Sequence, residues 1–396
     1  MSQMQVELQG AVAPPHRSLA GGSGDVHSSA RSLLWVVFAL IFFGLLIQIS
    51  HASTTMPADK FAGHVRSLVV MRLGGVGVIF FLMWLGPVRL RPLVPHMAGF
   101  ALITLLLVYV PGFKEEINGS RRWVRFPKVP MTLQPSEIAR VVGVIWAAHR
   151  LTLLGSDIKD LRRGYLPMVG MCLLFVVPIL LEPDLGATLL FIVCFFTVLF
   201  LGGARIKHMA LSVGIVVSTV LVVAASSFNY IRERLAVWTG DSSNDQVRRA
   251  MEAIGSGDAA GVGLGQGGFR NQSLQYMQTD YVFSLVGEEF GLLGSFLIIG
   301  LFLAFLFFGF RMAAGIQDRF SALVAFGLVA SVAYQAMLHL QIVTGLAPPK
   351  GMNLPFVSDG GSALLATCLA VGVALGAARG NGVPPADRSP APALKR

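Results

Sequence analysis

The chain has 396 residues, 54% of them hydrophobic and 13% charged, with a formal net charge of +10. Soluble domains carry about 25% charged residues, so this composition leaves too little polar surface for a soluble fold. The excess charge points to basic loops beside anionic lipid; no basic stretch is interleaved with aromatics, and no nucleic-acid partner is expected.

Residues 1–31 are rich in Gly, Ser, Ala and Pro. They lack the short apolar core and cleavage site of a signal peptide, and a disordered cytoplasmic tail is expected. Apolar runs follow at Ser32–Ser50, Ser67–Leu85, His96–Pro111, Pro135–Leu154, Tyr165–Leu181, Ala187–Leu201, His208–Ser227, Tyr281–Phe308, Phe320–Val343 and Ser362–Ala378. Crossing a bilayer takes roughly 20 mostly apolar residues, so residues 32–378 are expected to form an all-α polytopic membrane domain of about ten transmembrane helices. A large extracytoplasmic loop, about 228–279, separates helices seven and eight, and within it Val237–Ile254 has the pattern of an amphipathic helix. Residues 379–396, rich in Pro, Ala and Arg, are expected to be a second disordered cytoplasmic tail. Cys172, Cys194 and Cys368 each lie inside an apolar run without the spacing of a zinc or redox motif, and are expected to be packing residues.

Basic residues in short loops set orientation. With the N-terminus inside, cytoplasmic loops hold Arg89, Arg91, Arg150, Lys159, Arg162, Arg163, Arg205, Lys207, Arg311 and Arg319. Arg121, Arg122, Arg125 and Lys128 fall on the other side in a short loop, against the rule. A phosphate-bearing ligand outside would account for them.

Five motifs carry chemistry. Asn118-Gly119-Ser120-Arg121-Arg122-Trp123 suits an anion at a membrane surface, and equally an aromatic belt with solvated arginines. Gln134-Pro135-Ser136-Glu137-Ile138-Ala139-Arg140 starts a helix, with Glu137 favouring its dipole and Arg140 one turn deeper; capping and function weigh evenly. Glu182-Pro183-Asp184-Leu185-Gly186 reads as a capped turn between two spans. Ala253–Gly294 is glycine-rich and leads into Thr279-Asp280 and Gly287-Glu288-Glu289. Asp280 opens the eighth helix as a cap, which would lower its pKa, or as a working anion. Glu288 and Glu289, buried in an apolar span, need partners such as Arg140, or one holds a proton. Finally, Thr344–Ser362 is too rich in Pro and Gly for a helix and too apolar for a plain connector, so a structured or re-entrant loop lining a cavity is expected.

These motifs, in this order, resemble the SEDS family (FtsW/RodA/SpoVE), whose members carry N-G-A-R-R-W, Q-P-S-E-x-A-K, Q-P-D-x-G, a glycine-rich loop before T-D-F and G-E-E-x-G, and P-F-x-S-Y-G-G-S. Pro349-Lys350-Gly351 and the long N-terminal tail are closest to the FtsW type. The resemblance implies a peptidoglycan glycosyltransferase that polymerises lipid II into β-1,4 glycan during cell division, inverting the donor anomeric carbon and releasing undecaprenyl pyrophosphate. It implies a bacterial inner membrane protein at the septum, with a class B penicillin-binding protein and other divisome proteins as partners. Departures are Arg140 for lysine, Glu182 for glutamine, Leu274-Gln275-Tyr276 for L-P-E, His339 for asparagine and Asp359 for tyrosine.

On this reading Asp280 is the catalytic base for the acceptor 4-hydroxyl. Arg121, Arg122, Arg140 and Lys350 hold pyrophosphates, and Trp123 packs on lipid or sugar. Glu137, Glu288, Ser358, Gly360 and Gly361 complete the substrate-binding set, and a divalent cation (Mg or Mn) at Asp280 or Asp359 is the one cofactor to test. Two rivals stand beside it: a lipid II flippase, and a non-catalytic scaffold that activates the penicillin-binding protein.

Overall fold

The computed structural model describes residues 23–117, 120–125, 132–182, 184–215, 245–269 and 277–379. In chain order the helices are α1 (Ser23–Thr55), α2 (Ala58–Leu90), α3 (Val94–Leu107), α4 (Pro135–Leu154), α5 (Leu166–Leu181) and α6 (Leu185–Leu201). They continue as α7 (Ile206–Ile215), α8 (Asp245–Ser256), α9 (Val282–Ala314), α10 (Arg319–Val343) and α11 (Gly361–Arg379). Among the described residues each apolar run falls mainly on helix, because in lipid a backbone must satisfy its own polar groups. The protein is a multi-pass, helical membrane protein. The seventh run beyond Ile215, the tail residues 1–22 and 380–396, and residues 228–244 and 270–276 of the loop, Leu274–Tyr276 among them, lie outside the described residues.

One boundary differs from the expectation. Residues 23–31, expected in the tail, form the first turns of α1, because Val26 packs against Gly315 at the end of α9 and Ser29 is buried. Of the amphipathic helix expected over Val237–Ile254, the part from Asp245 is helical, running to Ser256 and packing on α9, and residues 237–244 lie outside the described residues. The fold also has a small antiparallel sheet, β1 (Lys114–Ile117), β2 (Ser120–Arg125) and β3 (Thr132–Leu133), in the order β1-β2-β3. Its register pairs Glu115 with Trp123 and Val124 with Leu133.

Almost all of α11 is buried, and α2 packs along it. A Cβ on Gly372 would stand 3.0 Å from the Ile79 backbone. Lipid offers no hydrophobic drive between helices, so small residues that let backbones approach hold such a pair. α10 packs on α4, α6, α9 and α11, and α1 packs on α9. Cys172, Cys194 and Cys368 are free and buried, as expected of packing residues.

Inside α9, Gly291 has φ 63° and ψ −155°, a conformation open to glycine, and the helix kinks there. The kink lets the Gly257–Phe269 stretch lie against it: Val262 N–H donates to Glu288 O (3.0 Å) and Leu292 N–H to Asp258 O (3.0 Å). Glu289 accepts from Ser50 Oγ at 2.8 and 2.7 Å and from Gly265 N–H, while Glu288 accepts from Phe269 N–H (3.0 Å). The two glutamates therefore bind the glycine-rich loop to α1 and α9, and neither pairs with Arg140. Replacing Glu289 with alanine strands buried donors at about 1–3 kcal/mol each. The expected result is a lower Tm in detergent and faster proteolytic cleavage within residues 257–269.

Candidate active site

The sheet, the starts of α4, α6 and α11, the turn before α9 and the loop after α10 enclose one cavity of about 370 Å³. Arg122 and Trp123 come from β2; Glu137 and Arg140 from α4; Asp184 from the start of α6; Asp280 from the turn before α9. Lys350 and Asp359 come from the loop, with Gly360 and Gly361 where that loop enters α11. Every motif of the sequence contributes to this wall.

Asp184 is the junction of the site. Its carboxylate caps α6 by accepting from Ala187 N–H (2.9 Å), accepts from Arg122 Nη1 (2.9 Å), and forms an ion pair with Lys350 Nζ. The Lys350 chain crosses Gly186, where any larger residue would collide with it. Burial alone would raise the Asp184 pKa, but Lys350 and then Arg122 hold the carboxyl well below its ordinary range. The sequence reading of a capped turn is correct as far as it goes; it missed the ion junction.

Next to it, Glu182 is buried and among the described residues neither carboxylate oxygen has a hydrogen-bond partner. Burial, reinforced by Asp184, pushes its pKa up to about 9. At neutral pH it is a carboxylic acid, the near-isostere of the glutamine in the Q-P-D pattern. The folded state keeps a proton that the unfolded chain releases near 4.5. This contribution to stability is full below that value and is lost as pH rises towards 9. Glu182→Gln is expected to flatten the decline of Tm between pH 5 and pH 9, and a thermal series at pH 5, 7 and 9 checks it.

Asp280 stands beside Gly351 on the cavity wall. It does not cap α9: Tyr281 occupies the cap position, and no side chain caps the helix. Burial therefore prevails, and the Asp280 pKa is raised while Arg122 and Lys350 pull it down. The expectation of a lowered value is corrected; a raised carboxyl is a stronger base once ionised. The turn is fixed from two sides. Gln48 on α1 donates to Gln278 O (2.9 Å) and Val357 O (3.1 Å), and Ser358 Oγ donates to Thr279 O (2.6 Å). Asp359 N–H also donates to Gln278 O (3.0 Å).

Arg140 is buried and spends its donors inside the protein. It pairs with Glu137 (2.5 Å) and donates to Ser331 Oγ (2.9 Å) and Gln335 Oε1 (2.7 Å). Gln335 in turn donates to Asn353 O (3.3 Å), so this network braces the loop behind Lys350. His339, at the asparagine position, is buried and bonds Met352 O (2.6 Å), bracing the same loop. Asp359 lies 3.8 Å from His64, and Arg72 of α2 acts on it electrostatically. Burial raises its pKa, with His64 and Arg72 opposing. Glu288 and Ser358 are not on the cavity wall; they hold loops in place. The side chain of Arg121 lies outside the described residues. Ser136, absent from the sequence candidates as a ligand contact, lines the cavity with a buried hydroxyl that has no partner among the described residues.

The described residues contain no cluster of three or more His, Cys, Asp or Glu side chains fit to hold a metal. Asp359 is engaged by Arg72 and lies 3.8 Å from His64. A protein-built metal cage does not fit this wall, although magnesium on a substrate phosphate needs only one or two protein carboxylates.

The family model of the FtsW/RodA/SpoVE cell cycle proteins matches residues 31–381. The chain belongs to the FtsW/RodA/SpoVE family. Among relatives, a probable peptidoglycan glycosyltransferase FtsW of Geobacter metallireducens is 33% identical over 87% of this chain and 92% of its own. Stage V sporulation protein E of Bacillus subtilis is 32% identical, covering 89% of this chain and 98% of that protein. In structure the chain is similar to a component of a peptidoglycan synthase complex that coordinates polymerization and crosslinking. The TM-score is 0.72 at 27% identity, covering 88% of this chain and 97% of that one. It is also similar to RodA of Thermus thermophilus, with a TM-score of 0.62 at 25% identity, covering 89% and 97%. Against the FtsW/RodA/SpoVE pattern, Asp359 in place of tyrosine is matched in this fold by His64 and Arg72.

Proposed function

We propose that this protein is a peptidoglycan glycosyltransferase that polymerises lipid II into β-1,4 glycan during cell division. The observation that carries the reading is the meeting of Asp280 with Arg122 and Lys350 in one cavity, from three distant segments. Its relatives' names and the shared fold support it.

In the proposed step Asp280 takes the proton of the acceptor 4-hydroxyl as that oxygen attacks the donor anomeric carbon. The carbon–oxygen bond to pyrophosphate breaks, the centre inverts, and undecaprenyl pyrophosphate leaves. Direct displacement needs one base and no enzyme nucleophile, unlike the two-carboxylate scheme of glycosidases. Lys350 and Arg122 stabilise the leaving pyrophosphate, with Arg121 adding charge on the same strand. Arg140, Glu137, Gly360 and Gly361 shape the pyrophosphate end, and Trp123 packs against sugar or lipid. A magnesium or manganese ion on the pyrophosphate would add positive charge there, with Asp280 the wall carboxylate able to hold it. The partner is a class B penicillin-binding protein, beside other divisome proteins. The location is the bacterial inner membrane at the septum, with both termini cytoplasmic.

Sealed liposomes holding the purified protein and lipid II separate this reading from a flippase. Polymer on the outer face with no lipid crossing supports it. Lipid crossing without polymer contradicts it.

A further inference from the structure

A second cavity, of about 580 Å³, lies between the start of α3, the last turns of α4 and the first turns of α5. Arg150 on its wall is fifteen residues after Pro135, about 22 Å along α4 at 1.5 Å per residue. This cavity is therefore at the opposite end of α4 from Asp280, and the enzymatic reading makes no use of it.

Its chemistry is divided. At one end are His149 and Arg150. His149 Nδ1 is buried without a hydrogen-bond partner among the described residues. Arg150 forms no ion pair among the described residues, and no carboxylate lines the cavity. Arg91 lies near enough to act on His149 and sits over the Phe320 ring at 5.3 Å, so a second cation, beside Arg150, borders the same end. The other walls are apolar. Trp146 is fixed by stacking on Phe195 at 6.4 Å, and Leu153 and Leu174 are 58% and 53% exposed, so the cavity opens sideways towards hydrocarbon.

We infer that this cavity binds one anionic glycerophospholipid, with its phosphate on Arg150 and His149 and an acyl chain along Leu153 and Leu174. A cationic end without counter-anion calls for a negative group, and an apolar trough open to the bilayer calls for a chain attached to it. Basic pockets between helices at one membrane face take anionic head groups on the same physics. Free phosphate would meet the cations but leave the apolar trough unfilled.

The test is native mass spectrometry of the full chain released from nanodiscs of equal phosphatidylglycerol and phosphatidylcholine. Wild type is expected to retain one phosphatidylglycerol with a preference of about tenfold or more. Arg150→Gln with His149→Gln is expected to lose that preference, and Arg150→Lys to keep most of it. Arg162→Gln, an equal charge change on an exposed side chain outside the cavity, is expected to leave it unchanged. Equal retention of both lipids by wild type overturns the inference. So does a loss in Arg162→Gln as large as in the double variant, which would make the preference diffuse surface charge. Displacement of the lipid by inorganic phosphate also overturns it.

Discussion

Asp280→Asn is expected to lower lipid II polymerisation by about 100- to 10,000-fold, the range for removal of a positioned general base. Folding should survive, because the turn carrying Asp280 is held by Gln48, Ser358 and the Asp359 backbone, and asparagine can still bond Thr279. The pH profile gives a second signature. A base must be ionised to work, and burial raises the Asp280 pKa. Activity is therefore expected to fall with falling pH at a point above the ordinary carboxylate value of about 4. Arg122 and Lys350 pull that pKa down. Lys350→Met should move the acid limb of kcat/KM to higher pH as well as lower the rate. A limb that stays put in Lys350→Met would separate Lys350 from Asp280.

The second large effect is at Asp184. Asparagine in its place still caps α6, since Asn and Asp cap equally well. It removes the anion that pairs with both Arg122 and Lys350. Removing one partner of a buried pair costs about 3–5 kcal/mol, so Asp184→Asn is expected to lower Tm and abolish polymerisation together. Adding Lys350→Met should recover part of the Tm, because one uncompensated charge is gone, and none of the activity, because the pyrophosphate cation is gone too. Recovery of both would mean that Lys350 serves only to hold the fold. The sign with pH is the reverse of Glu182: the depressed Asp184 pKa gives stability that is present above the ordinary carboxylate value and is lost as pH falls below it.

Much of this was legible in the sequence, for a physical reason. A bilayer fixes the length and composition of each span, so apolar runs translate directly into helices. The loops had to be polar, and the breakers in Thr344–Ser362 could only form irregular backbone protected by protein. What the sequence did not disclose is partnership. Gln48 reaches Gln278 and Ser50 reaches Glu289 from α1, and nothing local announces either bond. The sequence shows that Glu289 needs a partner and offers Arg140, but in the fold Ser331 and Gln335 surround Arg140. Asp184 looked complete as a cap because one of its oxygens is; the other binds Arg122. Asp280 had the position of a cap but lies one residue too early, with Tyr281 between it and α9.

The most direct measurement of the central claim is glycan synthesis from lipid II. The purified protein would be bound to a class B penicillin-binding protein whose transpeptidase serine is blocked. The account predicts muramidase-sensitive β-1,4 strands and released undecaprenyl pyrophosphate from wild type, with neither from Asp280→Asn bound equally well to the partner. Strands made by Asp280→Asn at the wild-type rate would contradict it.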